Sequence, residues 1–195
     1  MNNDRHALER FVHSRAAQFA AFAWGLAEAT LFFIVPDVLL TMIGCRSIRA
    51  SLKATGAAIL GALLGGLVMF AAGHAAPETA RTLLAHVPGI HPQLIERVQA
   101  QLSERGLGAV LLGPIVGVPY KIYAVEWGAR HGNLSMFLLI SIPARGIRFL
   151  LSALLAGSVA RLIAPWTRRR PRTEMAILAL FWTVFYTFYF LAFGW

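Results

Sequence analysis

Two apolar stretches of the chain, residues 16–44 and 106–127, are interrupted by proline and carry ionisable side chains. A straight helix does not run through Pro36-Asp37 in the first stretch, nor through Gly113-Pro114 and Gly117-Val118-Pro119 in the second. Proline lacks the backbone donor and its ring clashes with the preceding turn. Irregular backbone cannot face lipid either, because its polar groups find no partner there. A hairpin that enters and leaves by one face, its bend buried in protein or beside water, satisfies both demands. Flanking charge agrees for the first stretch. Arg5, Arg10 and Arg15 precede it, and Arg46, Arg49 and Lys53 follow it. A single crossing would put one of these clusters on the wrong side of a membrane.

Composition sets the solvent. Of 195 residues, 57% are apolar and 14% charged, against about 25% charged in soluble domains. The mean hydropathy is +0.62. A chain of this size cannot hide so much apolar surface from water, so lipid must solvate part of it. The net charge of +9 comes from basic residues flanking apolar runs, which fits membrane topology and argues against a nucleic-acid partner. With Cys45 as its one cysteine, the chain forms no internal disulfide and no cysteine-based metal site. Residues 1–15 read as a cytoplasmic segment. The apolar run after them carries Glu28 and Asp37 beyond any cleavage point, so it is read as retained.

The remaining segments order themselves around these stretches. Leu52 to Gly73 reads as a span, with Ala57, Gly61 and Gly65 in a small-xxx-small row that lets a helix approach and permits a homodimer. Residues 74–105 balance three arginines against three glutamates, as suits the non-cytoplasmic side. Within them, Pro92 to Glu104 reads as a short amphipathic surface helix. Leu134 to Ala164 reaches ~46 Å as a helix, so it is tilted, kinked at Pro143 or extended beyond the bilayer. The run Arg168 to Arg172 marks the cytoplasmic side, and Met175 to Trp195 is long enough to cross once. The expected fold is an all-α integral membrane protein with two opposed re-entrant hairpins (16–44 and 106–127) and about three transmembrane helices. Residues 16–164 form the membrane domain, and 165–195 form a basic loop and last span. Each hairpin precedes a span, an inverted-repeat arrangement that places a substrate site near the midplane. The N-terminus is expected in the cytoplasm and the C-terminus outside.

Five ionisable residues fall in the embedded stretches: Glu28, Asp37, Lys121, Arg145 and Arg148. A central arginine costs about 2.5–3.5 kcal/mol even on the mild insertion scale, so such groups pair or face a wet cavity. They sum to +1: two acids can neutralise two bases and leave one cation for an anionic substrate. Arg145 and Arg148, three apart, share a helix face and can either grip phosphate or lock helices through ion pairs. Asp37 can cap the helix that follows Pro36 or couple to protons. Glu28, among Trp24, Leu31 and Phe32, is a candidate proton carrier or a buried partner for an arginine. Lys121 can hold substrate or snorkel to the interface. Glu126 and Arg130 read as interfacial and solvated. His74, His86, His91 and His131 show no metal-ligand spacing, and there is no nucleophile elbow or phosphate loop. No metal, cofactor or enzymatic activity is expected.

The stretch AEATLFFIVPDVLL (Ala27 to Leu40) resembles the Glu-then-Pro-Asp motif of the DedA family, also called VTT or SNARE-associated membrane proteins. The stretch GVPYKIYAVEWGARHGNLSMFLLISIPARGIRFLLSALLAG (Gly117 to Gly157) resembles the family's second motif, most closely in the YqaA-like branch. Together they cover about a third of the chain, in the family's order. The resemblance implies two opposed re-entrant hairpins and lipid transport or scrambling in a bacterial-type inner membrane. Members are linked to recycling of undecaprenyl phosphate, to phosphatidylethanolamine movement and to the proton motive force. It places Glu28 and Asp37, the expected proton-coupling residues, on the family's acidic positions. Lys121 falls on a basic position of the second hairpin, and Arg145 and Arg148 on the following helix's arginines; with Tyr120 these are the expected substrate-binding residues. Pro36, Pro114, Gly117 and Pro119 are then the hairpin breakers. Many members carry a basic residue before the Pro-Tyr-Lys turn where this chain has Gly113 to Gly117, which leaves Arg145 or Arg148 to grip a phosphate. The expected partners are protons and an anionic phospholipid or polyprenyl phosphate. The alternatives are an ion or small-solute transporter, or a non-transporting scaffold.

Overall fold

The computed structural model describes residues 8–114, 116–167 and 171–193, which are 84% helical overall and contain no strand. The expectations placed on Arg5, Arg168 to Arg170 and Trp195 lie outside the described residues.

After a helical turn over 8–12, helix α1 (Arg15–Ala29) starts at Ser14, whose hydroxyl accepts from the Ala17 N–H. It stops before the break at 30–36. Helix α2 (Asp37–Arg46) follows, and Ser47 caps helix α3 (Ile48–Ala75) by accepting from the Ala50 N–H. Short helices α4 (Pro77–Ala85) and α5 (Pro92–Arg105) each open on proline, which has no donor to lose in a first turn. Helix α5 is amphipathic, and buries Leu94, Ile95, Val98 and Leu102 against the rest of the protein. Helix α6 (Gly108–Leu112) leads into the second break, and helix α7 (Tyr120–Ala129) leaves it. Helix α8 (Leu134–Thr167) continues through Pro143 and Pro165, and helix α9 is Pro171–Phe193. By length and composition, three helices can cross a membrane: Ile48–Ala75, Leu134–Trp166 and Thr173–Leu191. That suits a membrane-embedded all-α protein.

Helices α3 and α8 are the antiparallel centre. Phe70 meets Phe137 near one end, Ile59 lies beside Gly146, and Ile48 meets Gly157 near the other. The two short helices use this pair crosswise. Helix α2 packs on α8, with Gly44 against the Ala153 carbonyl. Helix α7 packs on α3, with Gly128 against the Phe70 carbonyl. The first arms stay with their own following helix, α1 on α3 and α6 on α8. Gly61 and Gly65 of the small-residue row receive the backbone of α1, so the row is used within the chain.

The short helices also diverge. Helix α2 runs from Asp37, beside Arg148, to Gly44, beside Ala153. Helix α7 runs from Tyr120, beside Ser141, to Gly128, beside Phe70. Seven residues of α8 separate the two starting points, about 10 Å at ~1.5 Å per residue. The buried apolar residues divide accordingly into a cluster around α7 and the α4–α5 cap, and one around α1 and α2. Arg145, fully buried, belongs to neither.

Candidate functional site

The five ionisable residues converge at the level where α2 and α7 begin. Glu28, near the end of α1, receives a hydrogen bond from the Arg145 guanidinium, and Arg145 is 0% exposed. Its guanidinium carbon lies 5.2 Å from the Tyr120 ring centroid and 4.6 Å from that of Phe149, so two aromatic rings flank the cation. Tyr120 donates to the Ser141 hydroxyl at 2.9 Å, and that hydroxyl donates to the Phe137 carbonyl at 2.6 Å. This relay fixes the ring beneath Arg145.

Asp37 does not cap α2. Pro36 holds the cap position, and the Asp37 carboxylate instead accepts from Arg148 Nη2 at 2.8 Å. The pairing wins because a guanidinium brings a full opposite charge to the carboxylate, whereas a cap bond offers only one backbone N–H dipole. Lys121, second residue of α7, is 2% exposed and donates from Nζ to the Phe32 carbonyl at 2.7 Å. Among the described residues no carboxylate lies within ion-pair distance of it.

A cavity of about 1070 Å³ opens at this level. Glu28, Asp37, Lys121 and Arg148 line its polar end, and Pro114, Gly117 and Pro119 of the second break form part of its rim. Arg145 and Tyr120 do not line it; they stand behind Glu28 in the interior. The opposite wall is α9, with Phe181, Trp182, Phe185, Tyr186 and Tyr189 turned to the cavity. Two polar bonds fasten this wall to the first break and to α2. The Val35 N–H donates to the Tyr186 hydroxyl at 2.9 Å, and Trp182 Nε1 donates to Thr41 Oγ1 at 3.1 Å. The C-terminal aromatics therefore help to enclose the cavity. A one-faced signal could not reveal this, because every face of α9 is apolar.

Glu126, expected to be solvated, is buried at 1% exposure. Arg81 of α4 clasps it with Nε and Nη2, each at 2.8 Å, and Gln99 of α5 adds a bond at 3.0 Å. These bonds hold the guanidinium of Arg81 above its ordinary pKa and pin the α4–α5 cap onto α7. The partner is 45 residues away in sequence, so spacing alone gave no sign of it. His74 and His131 meet at 3.1 Å between their Nδ1 atoms. Among the described residues no group of three His, Cys, Asp or Glu is placed to hold a metal ion.

What the arrangement can do follows from its two ends. The polar end brings Lys121 and Arg148 together with Glu28 and Asp37, while the long wall offers apolar and aromatic surface. Comparison of the chain with protein-family models, curated proteins and solved structures finds no match.

Proposed function

We propose that this protein is a lipid transporter of the DedA type, moving an anionic phospholipid or polyprenyl phosphate across the membrane with protons as the coupling ion. The observation that carries the reading is the cavity itself: Glu28, Asp37, Arg148 and Lys121 line its polar end, and the rest of its lining is apolar and aromatic, drawn mainly from α9, the two breaks and residues 87–90. That division matches an amphipathic ligand, a charged headgroup with acyl tails. A small inorganic ion would need no such wall.

The architecture supports the same reading. Each broken element supplies a short helix that starts near the middle of α8, about 10 Å from the other, and the two run towards opposite ends of an antiparallel pair. Discontinuous helices in inverted repeats, with half-helix N-termini aimed at an anionic group, form such sites in secondary transporters. In this reading 16–44 and 106–127 are the two re-entrant hairpins, and the membrane is a bacterial-type inner membrane with the N-terminus in the cytoplasm. Glu28 and Asp37 carry the protons: protonating either carboxyl releases its arginine and changes the charge facing the cavity. Lys121 and Arg148 meet the headgroup, while Arg145 acts through Glu28.

The test is transbilayer movement of a labelled phospholipid and a labelled polyprenyl phosphate in proteoliposomes, with and without a pH gradient. Movement should need the protein, rise with the gradient and fall about tenfold or more in Glu28→Gln, the ratio that corresponds to ~1.4 kcal/mol. Equal movement in both variants would remove the proton-coupling role. No lipid movement by folded wild-type protein would shift the assignment to the scaffold or ion-transporter reading.

A further inference from the structure

We infer that the cavity selects a phosphodiester headgroup with one negative charge, gripped by Lys121, over a phosphomonoester with two. This rests on the lipid-transporter reading and narrows its substrate class.

The charges at this buried site cancel in pairs except for one. Glu28 and Arg145 cancel, as do Asp37 and Arg148. Lys121 remains, giving a formal charge of +1 where the ligand must sit. One negative charge leaves the closed site neutral. A second would stand uncompensated in a largely apolar cavity, where an unpaired charge is costly. The positive end of α2 does not make up the difference, because Asp37 already occupies its first turn. The N-terminus of α7 offers about +0.5, short of a full charge.

Geometry makes Lys121 the ligand. Its ammonium has three donors, and the described bond to the Phe32 carbonyl uses one. That bond anchors the side chain across the gap between the two breaks and leaves two protons for phosphate oxygens. Arg148, 22% exposed at its side chain, spends Nη2 on Asp37. It can add hydrogen bonds from its remaining nitrogens without adding net charge.

The test uses the full chain in neutral detergent, with bound lipid counted by native mass spectrometry. The probes are dioleoyl phosphatidylglycerol, a monoanionic diester, and dioleoyl phosphatidic acid, a monoester. A glycerol phosphodiester without acyl chains serves as a soluble competitor. Binding is compared at about pH 7.5 and about pH 5, either side of a phosphomonoester's second pKa of about 6. The diester should be preferred about tenfold or more at the higher pH. The preference should shrink several-fold at the lower pH, where the monoester also carries one charge. Lys121→Met should lose both lipids and Lys121→Arg should keep them, with unfolding temperatures confirming that each variant is folded. Equal or better binding of phosphatidic acid at about pH 7.5 overturns the single-charge inference and leaves the lipid reading standing. Undiminished diester binding in Lys121→Met overturns the role of Lys121. No retained lipid, or displacement by the tail-free diester, overturns the lipid reading itself.

Discussion

Two ion pairs join the first broken element to α8, and they differ in one respect. Glu28–Arg145 is sealed: its side chains are 5% and 0% exposed, and aromatic rings flank the cation. Asp37–Arg148 is open on one side, with the arginine 22% exposed and both partners lining the cavity. Three residues of one helix separate the two arginines, yet only one can be reached by a ligand. Burial depth therefore divides labour between neighbouring charges of the same type. In the proposed cycle Arg145 changes state only through Glu28, whereas Arg148 meets the cavity directly.

The sharpest way to break this comparison is to remove the sealed cation. Arg145→Met leaves Glu28 buried without its partner and should cost about 3–5 kcal/mol. Thermal unfolding in detergent should show a large loss of folded protein, and the double variant with Glu28→Gln should recover much of it. If Arg145→Met unfolds no more readily than wild type, the pair is not a lock. Next comes Arg148→Gln. Water in the cavity can solvate Asp37, so stability should fall by about 1–3 kcal/mol, less than for Arg145→Met, while lipid flux is abolished. A variant that keeps full flux would reverse the assignment of the open pair. The smallest effect is expected from Tyr186→Phe, which removes the hydroxyl that accepts from Val35. It should cost about 1 kcal/mol and loosen the α9 wall, read as faster hydrogen exchange at the Val35 amide with the ion pairs unchanged.

Much of the frame was legible in the sequence because it rests on local physics. Pro36 and Pro119 forbid continuous helices, and each is followed by a ten-residue helix in the structure. The long apolar runs appear as spanning-length helices. The charge inventory, two acids against three bases, could be counted, but the pairing could not. Arg145 and Arg148 looked equivalent, being three apart on one face. What separates them is which side α1, α7 and α9 cover, and spacing carries no record of that. Asp37 shows the same limit: its capping signal was real, and a partner 111 residues away overrode it. The misreading of Glu126 has the same origin. Its exposure is decided by Arg81 and Gln99 on the α4–α5 cap, elements whose docking leaves no periodic mark at Glu126.

The crosswise packing of the short helices has a consequence for how the chain is made. Helix α2 finds its seat on α8, and Glu28 precedes its arginine by 117 residues. At a synthesis rate of about 5–20 residues per second, roughly 6–23 s pass between making that acid and making its counter-charge. During that interval neither carboxylate has its partner, and a carboxylate is not stable alone in hydrocarbon. The first arm must therefore wait at the membrane surface, inside the insertion machinery or in protonated form until α8 arrives. The order of the chain thus sets the earliest moment at which the two ion pairs can close.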